Sequence, residues 1–202
     1  MEEDEVISVF QEIISIEDSD GIEFLWKGIE PIRDEDAYNN FRIHLSAIYG
    51  KINCPMKIDV TTGDVITPAA IWYRYPMLFE EDTIPVMAYS VETILAEKYE
   101  TIIRRNIGTT RARDFYDLYV LYSSRKDEIR PEILRVAVTH TARKRGSIED
   151  MHDWKDIIED IREEPALSRL WTNYTAENTY IGNLPFSTVL DVLYRIAEQL
   201  NL

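Results

Sequence analysis

The sequence predicts an α+β fold, a small mixed sheet followed by a C-terminal helical part, and three observations carry that prediction. Before Ser90 the apolar stretches are short, rich in Ile, Phe, Trp, Tyr and Val, and bounded by Gly, Pro, Asn and Asp, as strands joined by turns are. From Ser90 onward the apolar residues recur at the helical period of about 3.6. The opening DEVISVFQEIISI breaks the first pattern, because Val6, Ile7, Phe10, Ile13 and Ile14 fall at helical spacing. The change of character near residues 88–92 divides the chain into an α+β part, 1–89, and a helical part, 90–202.

Taken in order, the opening helix leads into strand candidates in GIEFLWKGIEPI, FRIHLSAIYG, CPMKIDV and IPVMAYS. SVETILAEKYETIIRR then offers Ser90 as an N-cap and sets Ile94, Leu95, Tyr99, Ile102 and Ile103 on one stripe. NIGTT interrupts it, and RARDFYDLYVLYSS follows with Thr109 and Thr110 as cap candidates. A third helix starts at Pro131, a residue suited to a first helical turn. SIEDMHDWKDIIEDI opens with Ser147 as cap and Asp150 three residues on, and PFSTVLDVLYRIAEQL closes the chain with Pro185 in its first turn.

With 202 residues and 45% hydrophobic content, the chain can bury a substantial core. A formal charge of −15 argues against a broad basic footprint for duplex nucleic acid, since binding to phosphates depends on Lys and Arg. Cys54 is the single cysteine, so no internal disulfide forms, and no secretory signal or run of about 18 apolar residues is present. The cytoplasm is the expected location, with no membrane partner.

Charged residues in apolar settings are the informative ones. Asp59 in KIDVTTGD sits between Ile58 and Val60, in what reads as a strand entering a core, where an unpaired carboxylate is costly. It is either a turn or capping acid or a cation ligand; Asp64, after Gly63, fits turn chemistry. Lys98 lies on or beside the apolar stripe of its helix and needs a partner. Asp114 and Asp117 share a face of the next helix, beside Leu118 and Leu121, and need cations. The economical arrangement joins them to Lys98, Arg111 or Arg113 at the seam of the two helices, near the end of the Asp59 strand. Such a group is either a structural ion-pair network or a polar site in which carboxylates hold a divalent cation and Lys or Arg neutralises phosphate.

Elsewhere the signals are weaker. His44, His140 and His152 have no zinc-like spacing, Cys54 reads as a core-edge residue, and dinucleotide and P-loop glycine patterns are absent. RKRG, Arg143 to Gly146, reads as a solvated helix end or an RNA-backbone contact. LWTNYTAENTY, with Trp171, Tyr174 and Tyr180, reads as packing or as base stacking.

The order KIDVTTGD, SVETILAEKYETIIRR, TTRARDFYDLYVLY resembles the AbiEii/AbiGii toxin family of nucleotidyltransferase-like proteins, and the likeness runs from about residue 5 to the end. The resemblance implies a minimal nucleotidyltransferase fold and a toxin of a bacterial toxin–antitoxin or phage abortive-infection system. It further implies transfer of a nucleotide from a nucleoside triphosphate, with Mg²⁺, to an RNA acceptor such as tRNA, and a cognate antitoxin encoded nearby. Asp59 then resembles the third metal carboxylate, Lys98 the helix lysine that faces the nucleotide phosphates, and Asp114 and Asp117 the last motif, with Arg111 and Arg113 as phosphate or ion-pair partners. The family pattern also begins with a strand, a Gly-Ser or Gly-Gly-Thr turn and an Asp-x-Asp pair. None precedes DEVISVFQEII, and Asp18-Ser19-Asp20 follows a helix without a glycine-rich turn. The expectation is that the chain alone transfers no nucleotide and binds Mg²⁺ and nucleotide weakly, the alternatives being a non-catalytic nucleotide- or antitoxin-binding remnant and a structural domain with a buried ion network.

Overall fold

A computed structural model describes residues 2–32, 40–63 and 65–201; Asp64 lies outside them. The protein combines helices with small antiparallel sheets and ends in helices, and its backbone divides into two compact units, Met1–Asp64 and Val65–Leu202.

In the first unit, helix α1 (Glu3–Ile14) precedes three antiparallel strands, β1 (Glu23–Pro31), β2 (Phe41–Tyr49) and β3 (Ile52–Val60), in that spatial order. Period-two alternation gives the sheet two chemically different faces. Phe41, Ile43 and Leu45 of β2 are buried with Val6, and Phe10, Ile14, Trp26, Ile29, Met56, Ile58 and Val60 pack around them. The polar residues between these strand positions form the other face, where Arg42 stands directly opposite both Glu30 and Asp59, and His44 opposite Lys57. Asp18 and Asp20 serve the turn after α1, accepting the Ser19 and Ile22 backbone N–H groups. Cys54, expected at the core edge, is exposed: it shares the side of Met56 and Ile58 on β3 but lies beyond the residues that pack there.

The second unit opens with a hairpin of β4 (Ile71–Pro76) and β5 (Thr83–Ala88), which continues into helices α2 (Val91–Arg105), α3 (Ala112–Ser124) and α4 (Pro131–Arg145). Then come α5 (Ile148–His152), α6 (Trp154–Glu163), α7 (Pro165–Glu177) and α8 (Phe186–Leu200). Ser90 caps α2 as its sequence suggests, its hydroxyl accepting the Thr93 N–H at 3.2 Å. Thr93 in turn donates to the Thr67 carbonyl at 2.7 Å, tying the chain before β4 to the start of α2. Leu95, Tyr99, Ile102 and Ile103 of α2 share one core with Phe115, Leu118, Leu134, Ile158, Trp171, Leu190 and Leu193.

Two elements depart from the sequence reading. The SIEDMHDWKDIIEDI stretch is two helices that meet at Asp153, and Ser147 forms no side-chain cap. Its hydroxyl instead donates to the buried carboxylate of Glu100 at 2.7 Å. Thr109 does not begin α3 either; Arg111 occupies the N-cap position and Thr109 accepts the Arg111 N–H from the preceding turn.

Candidate functional site

Helix α2 brings Lys98 to the seam because the residues one turn to either side of it are apolar, and α3 brings Asp114 and Asp117 to it three residues apart on one face. The Lys98 ammonium bridges them, 2.8 Å from Asp114 Oδ1 and 2.8 Å from Asp117 Oδ2. Arg111 Nε holds the other oxygen of Asp114 at 2.8 Å, and Arg113 Nε lies 3.6 Å from Asp117 Oδ2. The five side chains that helical spacing marked therefore form one cluster, with three cations around two carboxylates and one net positive charge.

Burial is graded across it. The Asp114 side chain is 6% exposed and that of Lys98 22%, whereas Arg111 is half-exposed and Arg113 is 79% exposed. The acids thus anchor the lysine while the arginines reach into solvent. Burial is the largest influence on Lys98 and opposes its charge, but the hydrogen bonds and charges of Asp114 and Asp117 outweigh it and raise its pKa above the ordinary lysine value. A group whose folded pKa is raised contributes stability that is present below the unfolded value, about 10.4, and lost as pH climbs through the folded value. Thermal melts should therefore show the stability difference between the protein and Lys98→Met holding level to about pH 10 and narrowing above it. A difference that already vanishes near neutrality contradicts the pairing.

Asp59 belongs to the first unit, and the cation opposite it is Arg42. The guanidinium pairs with it in a bidentate fork, Nε to Oδ1 at 2.7 Å and Nη2 to Oδ2 at 2.9 Å. The strand alternation that sends Ile58 and Val60 toward the core turns Asp59 outward, and its side chain is 47% exposed. The apolar neighbours in sequence are thus neighbours on the opposite face. The Arg42 hydrogen bond, the largest of several influences, holds the Asp59 carboxyl below its usual range.

Mg²⁺ does not fit the carboxylates as they stand. Both Asp59 oxygens are engaged by Arg42, and Asp114 and Asp117 close around an ammonium, so a divalent ion would have to displace a cation at either place. Among the described residues no group of three or more His, Cys, Asp or Glu side chains is arranged to hold a metal. The histidines are dispersed: His44 meets Glu30 at 3.0 Å and His140 meets Thr67 at 3.2 Å.

A second buried ion group had no counterpart in the sequence reading. Glu100 of α2 is fully buried and is held by Arg104 Nε and Arg145 Nη1, both at 2.7 Å, and by Ser147. Arg145 of RKRG is therefore committed through Nη1 to Glu100 and Thr101, with its side chain 30% exposed. Nearby in kind, Glu92 accepts the backbone N–H and Nε of Arg130, which ties α2 to the start of α4.

The comparison with known families supplies the class of protein to which this α+β chain belongs. The family model for the nucleotidyl transferase AbiEii toxin of the type IV toxin–antitoxin system matches residues 2–192. The chain belongs to that family. It is a nucleotidyltransferase-like toxin of a type IV toxin–antitoxin system, which implies a cognate antitoxin. No curated protein and no solved structure matches it. Among the described residues, no helix is long and apolar enough to cross a membrane.

Proposed function

We propose that the Lys98 cluster is a phosphate site for a nucleoside triphosphate, and that the protein is built for nucleotidyl transfer to an RNA acceptor such as tRNA, in the cytoplasm, as part of abortive phage defence. One observation supports this best: a lysine fixed by two carboxylates, with two arginines extending past it toward solvent. In such a transfer an acceptor hydroxyl attacks the α-phosphorus, the bond to the β-phosphate breaks, and pyrophosphate leaves. This is largely a matter of positioning and charge neutralisation. Lys98, Arg111 and Arg113 would neutralise the triphosphate and the departing pyrophosphate, while Asp114 and Asp117 keep the lysine protonated and aimed. Mg²⁺ belongs to the expected chemistry, and Asp59 is its proposed ligand once Arg42 yields.

Because none of these carboxylates is free to hold Mg²⁺ while its cation stays in place, we expect the 202-residue chain alone to bind nucleoside triphosphate weakly and to transfer nothing. The net charge of −15 adds repulsion toward RNA at physiological salt. Incubation with α-labelled nucleoside triphosphates and bulk RNA should leave the RNA unlabelled. A version extended upstream by a Gly-Ser turn and an Asp-x-Asp pair should label it, and Asp59→Asn should abolish that labelling while the circular-dichroism spectrum is retained. Strong labelling by the 202-residue chain would show that these pairings do not prevent transfer, and full activity of extended Asp59→Asn would remove Asp59 from the chemistry.

A further inference from the structure

Beside the ion cluster lies a group of tyrosines whose role packing only partly explains. Trp171 of α7 is a core anchor, stacked on Phe186 with centroids 5.5 Å apart and donating its indole N–H to the Leu184 carbonyl at 2.9 Å. Tyr174, one turn on, lies 5.9 Å from the Trp171 ring and 6.3 Å from that of Tyr116 in α3. Tyr180 sets its ring edge-on to Tyr116 at 5.6 Å and its hydroxyl 3.4 Å from that of Tyr174. Yet Tyr180 is 67% exposed.

An exposed tyrosine is ordinary by itself. This one is tethered on both sides and in particular company. The Asn178 side chain bonds the Tyr174 carbonyl at 2.8 Å, and Ile181, the next residue after Tyr180, is buried, so the backbone on both sides is fixed. Tyr116 lies three residues after Arg113 and one before Asp117 on α3, which puts it beside the exposed guanidinium. The charges of both Asp117 and Arg113 act on the Tyr174 hydroxyl. Burial, and then the bond to Tyr180, push the Tyr174 phenol up, so it stays neutral and adds no negative charge where a phosphate-bearing ligand would approach.

We infer that Tyr180, braced by Tyr116 and Tyr174, is the stacking surface for the base of the nucleoside triphosphate whose phosphates meet Lys98, Arg111 and Arg113. The inference rests on the phosphate reading given above and adds the residue that recognises the base. An aromatic face accepts any base through its π-surface, so the expected preference among the four nucleotides is slight.

Phosphorus-31 NMR titrations with the 202-residue chain, which read affinities into the millimolar range, provide the test, with each nucleoside triphosphate and with inorganic tripolyphosphate as the base-free probe. Tyr180→Ala should weaken nucleoside triphosphate binding about 5- to 100-fold and leave tripolyphosphate binding unchanged. Tyr180→Phe should stay within about twofold of the parent, because stacking needs the ring and not the hydroxyl. Arg113→Gln, at an exposed position that does not threaten folding, should weaken both ligands. If Arg113→Gln weakens both but Tyr180→Ala changes neither, or weakens only a short single-stranded RNA, the stacking assignment falls and the phosphate reading stands. If Arg113→Gln changes neither ligand, or neither binds, the phosphate reading falls and takes the stacking assignment with it.

Discussion

Replacing Lys98 by Met should lower the stability of the second unit by about 3 kcal/mol, because it leaves Asp114 buried with half its charge compensation gone. The thioether chain keeps most of the packing volume, so the loss measures the charge and not a cavity. The figure sits at the low end for a broken buried pair because Arg111 still holds Asp114 Oδ2. Asp117 is partly exposed and recovers water in exchange, so it adds little. Urea unfolding followed by the far-ultraviolet helical signal is the appropriate measurement, since α2 to α8 all belong to this unit. A loss below about 0.5 kcal/mol would mean that Lys98 behaves as an exposed lysine.

At Glu100 the two sides of one ion group should respond unequally. Arg145→Met strands the Glu100 Oε2 oxygen in a site with no solvent access, and should cost about 3 to 4 kcal/mol. Glu100→Met removes the buried charge itself. Arg104 and Arg145 are each about a third exposed and turn to water, so this substitution should cost about 1 kcal/mol or less. The order is the diagnostic: a Glu100→Met protein less stable than Arg145→Met would show that the carboxylate contributes net stability, contrary to the desolvation argument.

What the sequence made legible follows from the range of the interactions. Lys98, Asp114 and Asp117 stand on amphipathic helices where charges on or beside an apolar stripe need partners, and neighbouring helices supply them. The Ser90 cap, the Pro131 start of α4 and the Gly146 stop are equally local. Asp59 is legible as a strand residue, but its surroundings are not: whether an acid in an alternating strand faces core or solvent depends on which side α1 covers, and Arg42 becomes its neighbour only through the β2–β3 register. Glu100 and Arg145 are 45 residues apart, and no local pattern joins them.

Two elements went unread for a different reason. Strand β4, IWYRYP, has no clear apolar–polar alternation, and both faces of its hairpin carry exposed apolar side chains, among them Trp72, Tyr75, Ile84 and Met87. Helix α7 does carry a signal, Pro165 at its first turn and Leu167, Leu170, Trp171 and Tyr174 at helical spacing. Its Thr and Asn residues dilute that spacing, and the aromatic run that continues to Tyr180 reads as packing or base stacking without marking a helix. The aromatic stretch proves to be divided, with Trp171 given to the core and Tyr180 to the surface.

The central claim is that nucleotide phosphates meet this protein at the α2–α3 seam. Backbone-amide NMR of the 202-residue chain, titrated with a nucleoside triphosphate with and without Mg²⁺, tests it most directly. The predicted result is a set of saturable shifts concentrated at Lys98, Arg111 to Asp117 and Tyr180, present without Mg²⁺. Shifts confined to Arg42, Asp59 and their strands, or no saturable shifts at all, would contradict it.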